Sequence, residues 1–251
     1  MNNTDKFSGR AAVYDQCRPD YPEVLLEDLM AEFSLTSESV VADIGAGTGI
    51  FTRQLLAHGL NVIAVEPNAD MRHVAQGTFA ACPKATIVSG SAACTGLPAH
   101  SIDFITAAQA FHWFEPDSFH RECLRILKPG AAAALLWNNR DKNAVLTGES
   151  ERICGRYCPA FDGFSGGTLG SGPDVGTLFR AGYSTKCYPH PLTYDRESFI
   201  GRYLSASYAP KDGDAAYRPF IAELSALFDK HSRDGKLIFP NITSLYYGQV
   251  C

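Results

Sequence analysis

The sequence lacks the features that mark membrane-spanning and nucleic-acid-binding chains. No stretch approaches the roughly 18 apolar residues that a membrane helix needs, and the start, MNNTDKFSGR, has no apolar signal segment. The chain also has no run of Lys or Arg, and its formal net charge is −5. A basic face is the usual footprint of a nucleic-acid-binding protein. We therefore expect a cytoplasmic monomer or homodimer with no nucleic-acid or membrane partner.

Cysteine pairs at metal-binding spacing are missing as well. Eight cysteines are scattered over the 251 residues without a CxxC pair, and only Cys154 and Cys158 stand close together. No His or Cys follows them at the spacing of a zinc finger. We predict free, mostly buried thiols and no metal site.

Short apolar runs alternate with segments of helical periodicity over the first 140 residues or so. This alternation is typical of βαβ units, which build a parallel sheet with helices on both faces. The predicted strands are 39–43, 61–66, 85–89, 102–107 and 131–137, and the predicted helices are 22–33, 50–58, 69–79 and 116–127.

After Asn138 the alternation lapses. Further helices are predicted around the two close cysteines and at 175–181, 196–206 and 214–231, with strands at 184–194 and within 237–250. The last two strands are joined through helices rich in aromatic residues. We interpret these helices as a lid over the C-terminal edge of the sheet.

A glycine-rich loop, ADIGAGTGIF, follows the first predicted strand and enters a helix. A dinucleotide-binding GxGxxG pattern that starts at Gly45 would require a third glycine at position 50, which is Ile50. The pattern instead runs Asp43, Gly45, Gly47, Gly49. A carboxylate disfavours a pyrophosphate but favours the cationic sulfonium and ammonium of S-adenosylmethionine. The loop therefore favours S-adenosylmethionine over a dinucleotide.

A second acid, Glu66, ends the next strand, 17 residues after Gly49. A carboxylate there can accept both ribose hydroxyls in either ligand class, so it indicates adenosine without choosing the ligand. A nicotinamide-dependent oxidoreductase stays an alternative, as does a glycine turn that binds nothing.

These segments resemble a known family. VVADIGAGTGIF and VIAVEPNADM resemble motif I and the acidic second-strand motif of class I S-adenosylmethionine-dependent methyltransferases. GSAACTGLPAHSIDFITAAQAFHWFEP and the LKPG turn resemble the methyltransferase type 11, small-molecule branch that includes trans-aconitate and ubiquinone/menaquinone methyltransferases. FSGRAAVYDQCRPDYP and, weakly, NITSLYYGQV extend the resemblance over most of the chain.

The resemblance implies one methyltransferase domain: a cofactor-covering segment (1–35), a cofactor-binding core (36–140), and C-terminal strands with lid helices (141–251). The implied fold is doubly wound and Rossmann-like, with a seven-stranded, mostly parallel sheet whose last strand is antiparallel. The implied cofactor is S-adenosyl-L-methionine, with S-adenosyl-L-homocysteine as product. The implied cofactor-binding residues are Tyr14, Arg18, Asp43, Gly45, Ala46, Gly47, Glu66, Pro67, Asn68, Ser91, Ala92, Ala107 and Gln109.

The residues expected to face the methyl acceptor follow the fourth predicted strand, in AQAFHWF. Methyl transfer from a sulfonium mainly requires proximity, orientation and desolvation, so no catalytic base is obligatory. His112 is the candidate base. The alternative, which we favour, is that it only shapes the pocket or caps a turn. Phe111, His112 and Trp113 would line that pocket. Relatives that methylate nucleobases often carry an Asn/Asp-Pro-Pro-aromatic motif that is missing here. These features favour a small metabolite that accepts on oxygen, a carboxylate or a phenol.

Two points stay open at the level of sequence. The lid arginines Arg196 and Arg202 could meet an anionic substrate, but we expect both at solvated surface positions. Because the sequence does not define the acceptor pocket, a non-catalytic S-adenosylmethionine-binding module is the other alternative.

Overall fold

The computed structural model describes residues 19–164, 174–206 and 208–251. Its strands are β1 (Val40–Ile44), β2 (Asn61–Val65), β3 (Ala85–Val88), β4 (Ile102–Ala108), β5 (Leu127–Arg140), β6 (Ser184–Pro189), β7 (Leu192–Tyr194), β8 (Leu237–Phe239) and β9 (Asn241–Gln249). Its α-helices are α1 (Glu23–Glu32), α2 (Ile50–Ala57), α3 (Ala69–Phe79), α4 (Pro116–Ile126), α5 (Val145–Tyr157), α6 (Arg196–Leu204) and α7 (Tyr217–His231).

The main sheet has seven strands in the order β3-β2-β1-β4-β5-β9-β6. The pairs among β1 to β5 are parallel, whereas β9 runs antiparallel to both of its neighbours. The strand order reverses between β1 and β4, so the crevice beyond their carboxyl ends is the expected ligand position. The predicted seven-stranded, mostly parallel sheet with an antiparallel last strand is confirmed.

Alternating side chains of the sheet enter two separate hydrophobic cores. Ala42 and Ile44 of β1 pack in the core that includes Phe119 of α4, while Val41 packs with residues of α1 and α2 such as Leu25. Each strand of a two-faced sheet buries successive residues on opposite sides. Helices therefore cover both faces, as the sequence predicted.

A third core holds the lid together. It joins residues of α5, α6 and α7 to the two-stranded sheet that β7 and β8 form, with Phe199 and Phe220 fully buried. The lid therefore has apolar packing of its own in addition to its connections to the main sheet. The division of the chain into 1–35, 36–140 and 141–251 stays a prediction.

The single strand predicted over 184–194 is wrong. Two prolines, Pro189 and Pro191, stand at the point where β6 ends and β7 begins. Proline has no N–H to donate to a strand ladder, so β6 leaves the main sheet there and β7 pairs with β8 instead. Pro240 separates β8 from β9 in the same way.

Two other boundaries differ from the prediction. The helix predicted at 175–181 is only a 3₁₀ turn, Val175–Thr177, within which Gly176 lowers helix propensity. Strand β5 begins at Leu127, before the Lys128-Pro129-Gly130 turn, because Leu127 pairs with Ile102 ahead of a bulge.

The cysteines only partly follow the prediction. The seven in the described ranges are all free, but only three of them are buried: Cys123, Cys154 and Cys158. The expectation of mostly buried thiols is therefore wrong for this part of the chain. None of its helices is both long and apolar enough to cross a bilayer, and in it we find no group of three or more acidic, His or Cys side chains that could hold a metal ion.

Candidate active site

A cavity of about 290 Å³ lies at the carboxyl ends of the parallel strands. The segments that follow β1, β2, β3, β4 and the end of β5 all contribute to its wall. Of the predicted cofactor-binding residues, those that line it are Asp43, Gly45, Ala46, Gly47, Glu66, Pro67, Asn68, Ser91, Ala92 and Gln109. Tyr14 and Arg18 lie outside the described residues.

The glycine loop forms one wall of this cavity. Gly45 has φ +71°, and a Cβ at this position would lie 2.7 Å from the Cβ of Ala110, so any larger residue would be strained. Gly47 has φ +61°, and a Cβ there would meet no atom within 4 Å. The missing side chain of Gly47 therefore leaves open space beside the cavity, where a ligand can approach the backbone.

Asp43 is buried at the end of β1, behind the loop. One carboxylate oxygen accepts a hydrogen bond from Oγ1 of Thr52 at 2.7 Å, and the other accepts one from Oγ1 of Thr106 at 2.9 Å. Burial raises the pKa of Asp43 to about 6, although the two threonine hydroxyls favour the ionised form. A cation bound in the cavity would favour the charged carboxylate further.

Glu66, which follows β2, connects the end of that strand to the glycine loop by hydrogen bonds. One of its oxygens accepts from the backbone N–H of Gly47 at 2.8 Å, and the other accepts from that of Asn68 at 2.7 Å. Burial raises the pKa of Glu66 against the effect of these hydrogen bonds. Each carboxylate oxygen can accept more than one hydrogen bond, so Glu66 retains acceptor capacity toward the cavity.

The end of β4 is displaced by one residue from the prediction. Ala107 is fully buried in the core, whereas Ala108 lines the cavity, because adjacent strand residues point to opposite faces. Gln109 leaves the strand with φ +55°, a conformation that is uncommon for residues other than glycine. Its backbone N–H donates to Leu136 and its side-chain amide donates to the carbonyl of Asn138.

The three aromatic residues predicted for the acceptor pocket lie in different environments. Trp113 lines the cavity, but Phe111 is fully buried in the sheet core and His112 does not contact the cavity. Nδ1 of His112 accepts a hydrogen bond from Nε1 of Trp137 at 3.3 Å. This bond requires a lone pair on Nδ1, so a neutral His112 carries its proton on Nε2.

Sequence reasoning missed several lining residues. Asn138 follows the buried part of β5, and the rule that ligands bind at strand ends could have found it. Arg202, which we expected at a solvated surface, lines the cavity from the lid, whereas Arg196 is exposed as expected. The remaining lining residues are Pro19, Tyr21, Thr48, Ile50, Phe51, Met71, Ala93, Ala108, Ala110, Phe114 and Glu115.

The described residues fit S-adenosylmethionine. The open space beside Gly47 leaves room for close backbone contact, and the buried carboxylate of Asp43 suits a cationic ligand. Glu66 reaches the same cavity and can accept hydroxyl donors. Asp43, Glu66 and the glycine loop are thus the groups that would hold the donor.

Comparisons with known proteins show which family the chain resembles. Residues 42–135, which span the glycine loop and the strands around it, match a family described as a methyltransferase domain. An uncharacterized methyltransferase-like protein of Schizosaccharomyces pombe is 33% identical to this chain over 176 residues, which is 68% of each protein.

Solved structures show a similar fold. A protein from Anaeromyxobacter dehalogenans, provisionally described as a type II methyltransferase, superimposes with a TM-score of 0.64 at 22% identity. The match covers 93% of this chain and 98% of that one. A phosphoethanolamine N-methyltransferase of Haemonchus contortus, solved with phosphomonomethylethanolamine and S-adenosylhomocysteine, gives a TM-score of 0.56 at 13% identity. That match covers 99% of this chain and 59% of the nematode protein.

Proposed function

Because the chain belongs to the class I S-adenosylmethionine-dependent methyltransferases, we propose that it transfers a methyl group to an oxygen atom of a small-molecule acceptor. The acceptor class is a carboxylate or a phenol-like metabolite. The observation that carries the proposal is one cavity whose wall combines two chemically different groups of residues. One group is Asp43, Glu66 and the glycine loop, and the other includes Trp113 and the lid residue Arg202.

When bound, S-adenosylmethionine supplies an electrophilic methyl group on a sulfonium that leaves as a neutral thioether. The chain itself has three tasks. Asp43 offsets the positive charge of the donor, Glu66 fixes its ribose, and the strand-end residues Ala108 and Gln109 border the space that the acceptor must enter. These tasks are positioning and desolvation, which are the main requirements of such a displacement.

The polar groups of the cavity favour a carboxylate over a phenol. The acidic side chains that line it in the described ranges are Asp43, Glu66 and Glu115, and all three already accept hydrogen bonds. Glu115 caps the N-terminus of α4. A phenol must lose its proton before or during methyl transfer, whereas a carboxylate is already ionised at neutral pH. A carboxylate acceptor therefore needs no general base.

His112 fits a role in shaping the site better than a role as base. Its Nδ1 is occupied by the Trp137 indole N–H, and its neutral ring has the proton on Nε2. In that state the ring has no second lone pair with which to accept a proton from an acceptor. We propose that His112 sets the position of the 3₁₀ turn Phe111–Trp113 at the cavity wall.

Two measurements test the proposal. Calorimetric titration should detect binding of S-adenosylhomocysteine and no comparable binding of NAD. Labelled S-adenosylmethionine, offered with a panel of carboxylic acids and phenols, should then yield labelled esters or ethers. Binding of the donor without transfer to any member of the panel would instead support a non-catalytic binding module, and tight NAD binding without S-adenosylhomocysteine binding would overturn the donor assignment.

A further inference from the structure

Two arginines lie near the same aromatic ring, that of Phe239, one in the main sheet and one in the lid. Arg140 is the last residue of β5, and Arg202 lies in α6 of the lid. Both side chains are partly buried, and aromatic rings surround them. Cζ of Arg140 lies 3.8 Å from the ring centroid of Phe164, and the guanidinium of Arg202 lies 5.5 Å from that of Phe239. We call these two residues the arginine pair.

The arginine pair has no acidic partner among the described residues. Neither side chain takes part in any of the ion pairs found there, and Nε of Arg140 is fully buried without a hydrogen-bond acceptor. The polar contact of Arg202 is a hydrogen bond that its guanidinium donates to the hydroxyl of Tyr194. Burial lowers the pKa of Arg202, and the positive charge of Arg140 lowers it further. Two neighbouring cations thus lack a counter-ion, an arrangement that costs folding free energy.

Other buried polar atoms without partners surround the same place. Asn241 pairs with Arg140 in the β5–β9 ladder, and neither atom of its side-chain amide has a hydrogen-bond partner. The ring of Tyr203 lies 5.4 Å from the guanidinium of Arg140, and its hydroxyl is buried. Buried polar groups in proteins are nearly always satisfied by protein, water or ligand. Several such groups beside two unpaired cations indicate a site for a polar ligand.

Of the residues just described, Arg202 lines the cavity that also contains Asp43 and Glu66, so its guanidinium connects the arginine pair to that cavity. We propose that the arginine pair binds a carboxylate of the methyl acceptor, with the amide of Asn241 as a further hydrogen-bonding group. This inference rests on the proposed function. Guanidinium groups match a carboxylate in geometry as well as in charge.

The carboxylate held by the arginine pair is not the group that receives the methyl. Guanidinium donors occupy the lone pairs of a bound carboxylate and lower its electron density, so they weaken it as a nucleophile. The acceptor therefore carries at least two functional groups. One is an anion that anchors it under the lid, and the other is an oxygen nucleophile that reaches the methyl group.

The test uses succinate as a dicarboxylate probe and succinamide as its neutral analogue. Binding to the full chain is measured by calorimetry and by thermal shift at constant ionic strength, and needs no donor. The variants are Arg140→Met and Arg202→Met, which remove the charge but keep an apolar side chain among the aromatic rings. Arg196→Met is the matched control, because Arg196 lies in the same helix and pairs with Asp229 at the exposed surface.

We expect succinate to stabilise the wild type and the Arg196 variant, and succinamide to have no such effect. Either variant of the arginine pair should weaken succinate binding at least tenfold, the loss expected for one charge-assisted hydrogen bond. Neither variant should lower the melting temperature of the ligand-free protein, because each removes a partly buried cation that has no acidic partner among the described residues. Should Arg202→Met fold poorly, Arg202→Lys keeps the charge, and partial recovery of succinate binding would support the inference.

Three results would overturn the inference. Equal succinate affinity in the wild type and both variants would show that the arginine pair does not bind the carboxylate. Equal binding of succinamide and succinate would show that binding does not depend on the charge of the ligand. A fall in S-adenosylhomocysteine affinity as large as the fall in succinate affinity would assign the pair to the carboxylate of the donor. If S-adenosylhomocysteine does not bind the wild type at all, the proposed function fails, whatever succinate does.

Discussion

Replacement of Asp43 by Asn is predicted to stabilise the ligand-free protein and to weaken donor binding. Asp43 is buried at the end of β1, and both of its carboxylate oxygens accept hydrogen bonds from threonine hydroxyls. Asn has nearly the same shape but no charge. The substitution therefore separates the electrostatic role of Asp43 from its role in packing.

The size of the effect follows from the pKa of Asp43, which burial raises from 3.8 to about 6. That rise corresponds to about 3 kcal/mol. Because the pKa is higher in the folded state, the contribution of Asp43 to stability is fully present below pH 3.8 and is lost as the pH rises through 6. At pH 7 the variant should thus melt up to about 10 °C above the wild type.

Donor binding should change in the opposite direction. The ammonium of S-adenosylhomocysteine favours an ionised Asp43, so its affinity for the wild type should fall as the pH drops below about 6. Asp43→Asn should weaken binding at pH 7.5 by about 1.5–3 kcal/mol, the value of a hydrogen bond to a charged group, and should remove the part of the pH dependence that Asp43 causes.

Thermal unfolding and calorimetric titration from pH 5 to 8 measure both effects. Asp103→Asn is the matched control, because Asp103 accepts from Val40 and Lys128 at the opposite end of the sheet. It should lower stability at pH 7 and leave donor binding unchanged. Unchanged S-adenosylhomocysteine affinity in Asp43→Asn would refute the placement of the donor ammonium beside Asp43.

Four further substitutions test the site. Gly45→Ala should lower the free energy of unfolding by about 1–3 kcal/mol in chemical denaturation, because the new Cβ would lie 2.7 Å from that of Ala110 at a positive φ; an unchanged value would argue against this loop conformation. Glu66→Gln replaces one of the two acceptor oxygens with an NH2 donor that faces a backbone N–H, so S-adenosylhomocysteine affinity should fall at least tenfold by calorimetry. Once an acceptor is known, His112→Ala should reduce kcat less than tenfold. If kcat instead falls more than a hundredfold and the acid limb of the pH–rate profile disappears, His112 is the general base after all. Trp137→Phe removes the indole N–H that donates to His112, together with part of the ring, and should leave that profile unchanged because His112 is not the base.

Much of the fold could be predicted from the sequence because local and global signals agree in the first 140 residues. The glycine loop, the acid at the end of β2 and the proline at the start of α4 each mark a strand or helix boundary that the structure shares within a residue or two. The parallel sheet then brings all the strand ends to one edge. Local spacing is therefore enough to predict that Asp43 and Glu66 line the same cavity.

The lid could not be predicted in this way. Its strands β7 and β8 pair across a helical segment, and only the three-dimensional path shows that Arg202 turns inward while Arg196, six residues earlier in the same helix, stays exposed. Helical periodicity gives the relative directions of these side chains but not the face that meets the sheet. The inward placement of Arg202 depends on the third core, whose members are far apart in the chain.

The position of β9 has a consequence for how the chain folds. It is the last of the described strands in sequence, yet it lies between β5 and β6, where it pairs with residues 132–140 of β5 and with all of β6. Until residues 241–249 are in place, β5 has a free edge of unpaired backbone groups, and β6 has no neighbour in the main sheet. Pairings of such long sequence separation form slowly, and open strand edges promote aggregation. During synthesis, therefore, the sheet can close only after its final strand has emerged, and we expect chains that lack it to be captured by chaperones or to aggregate.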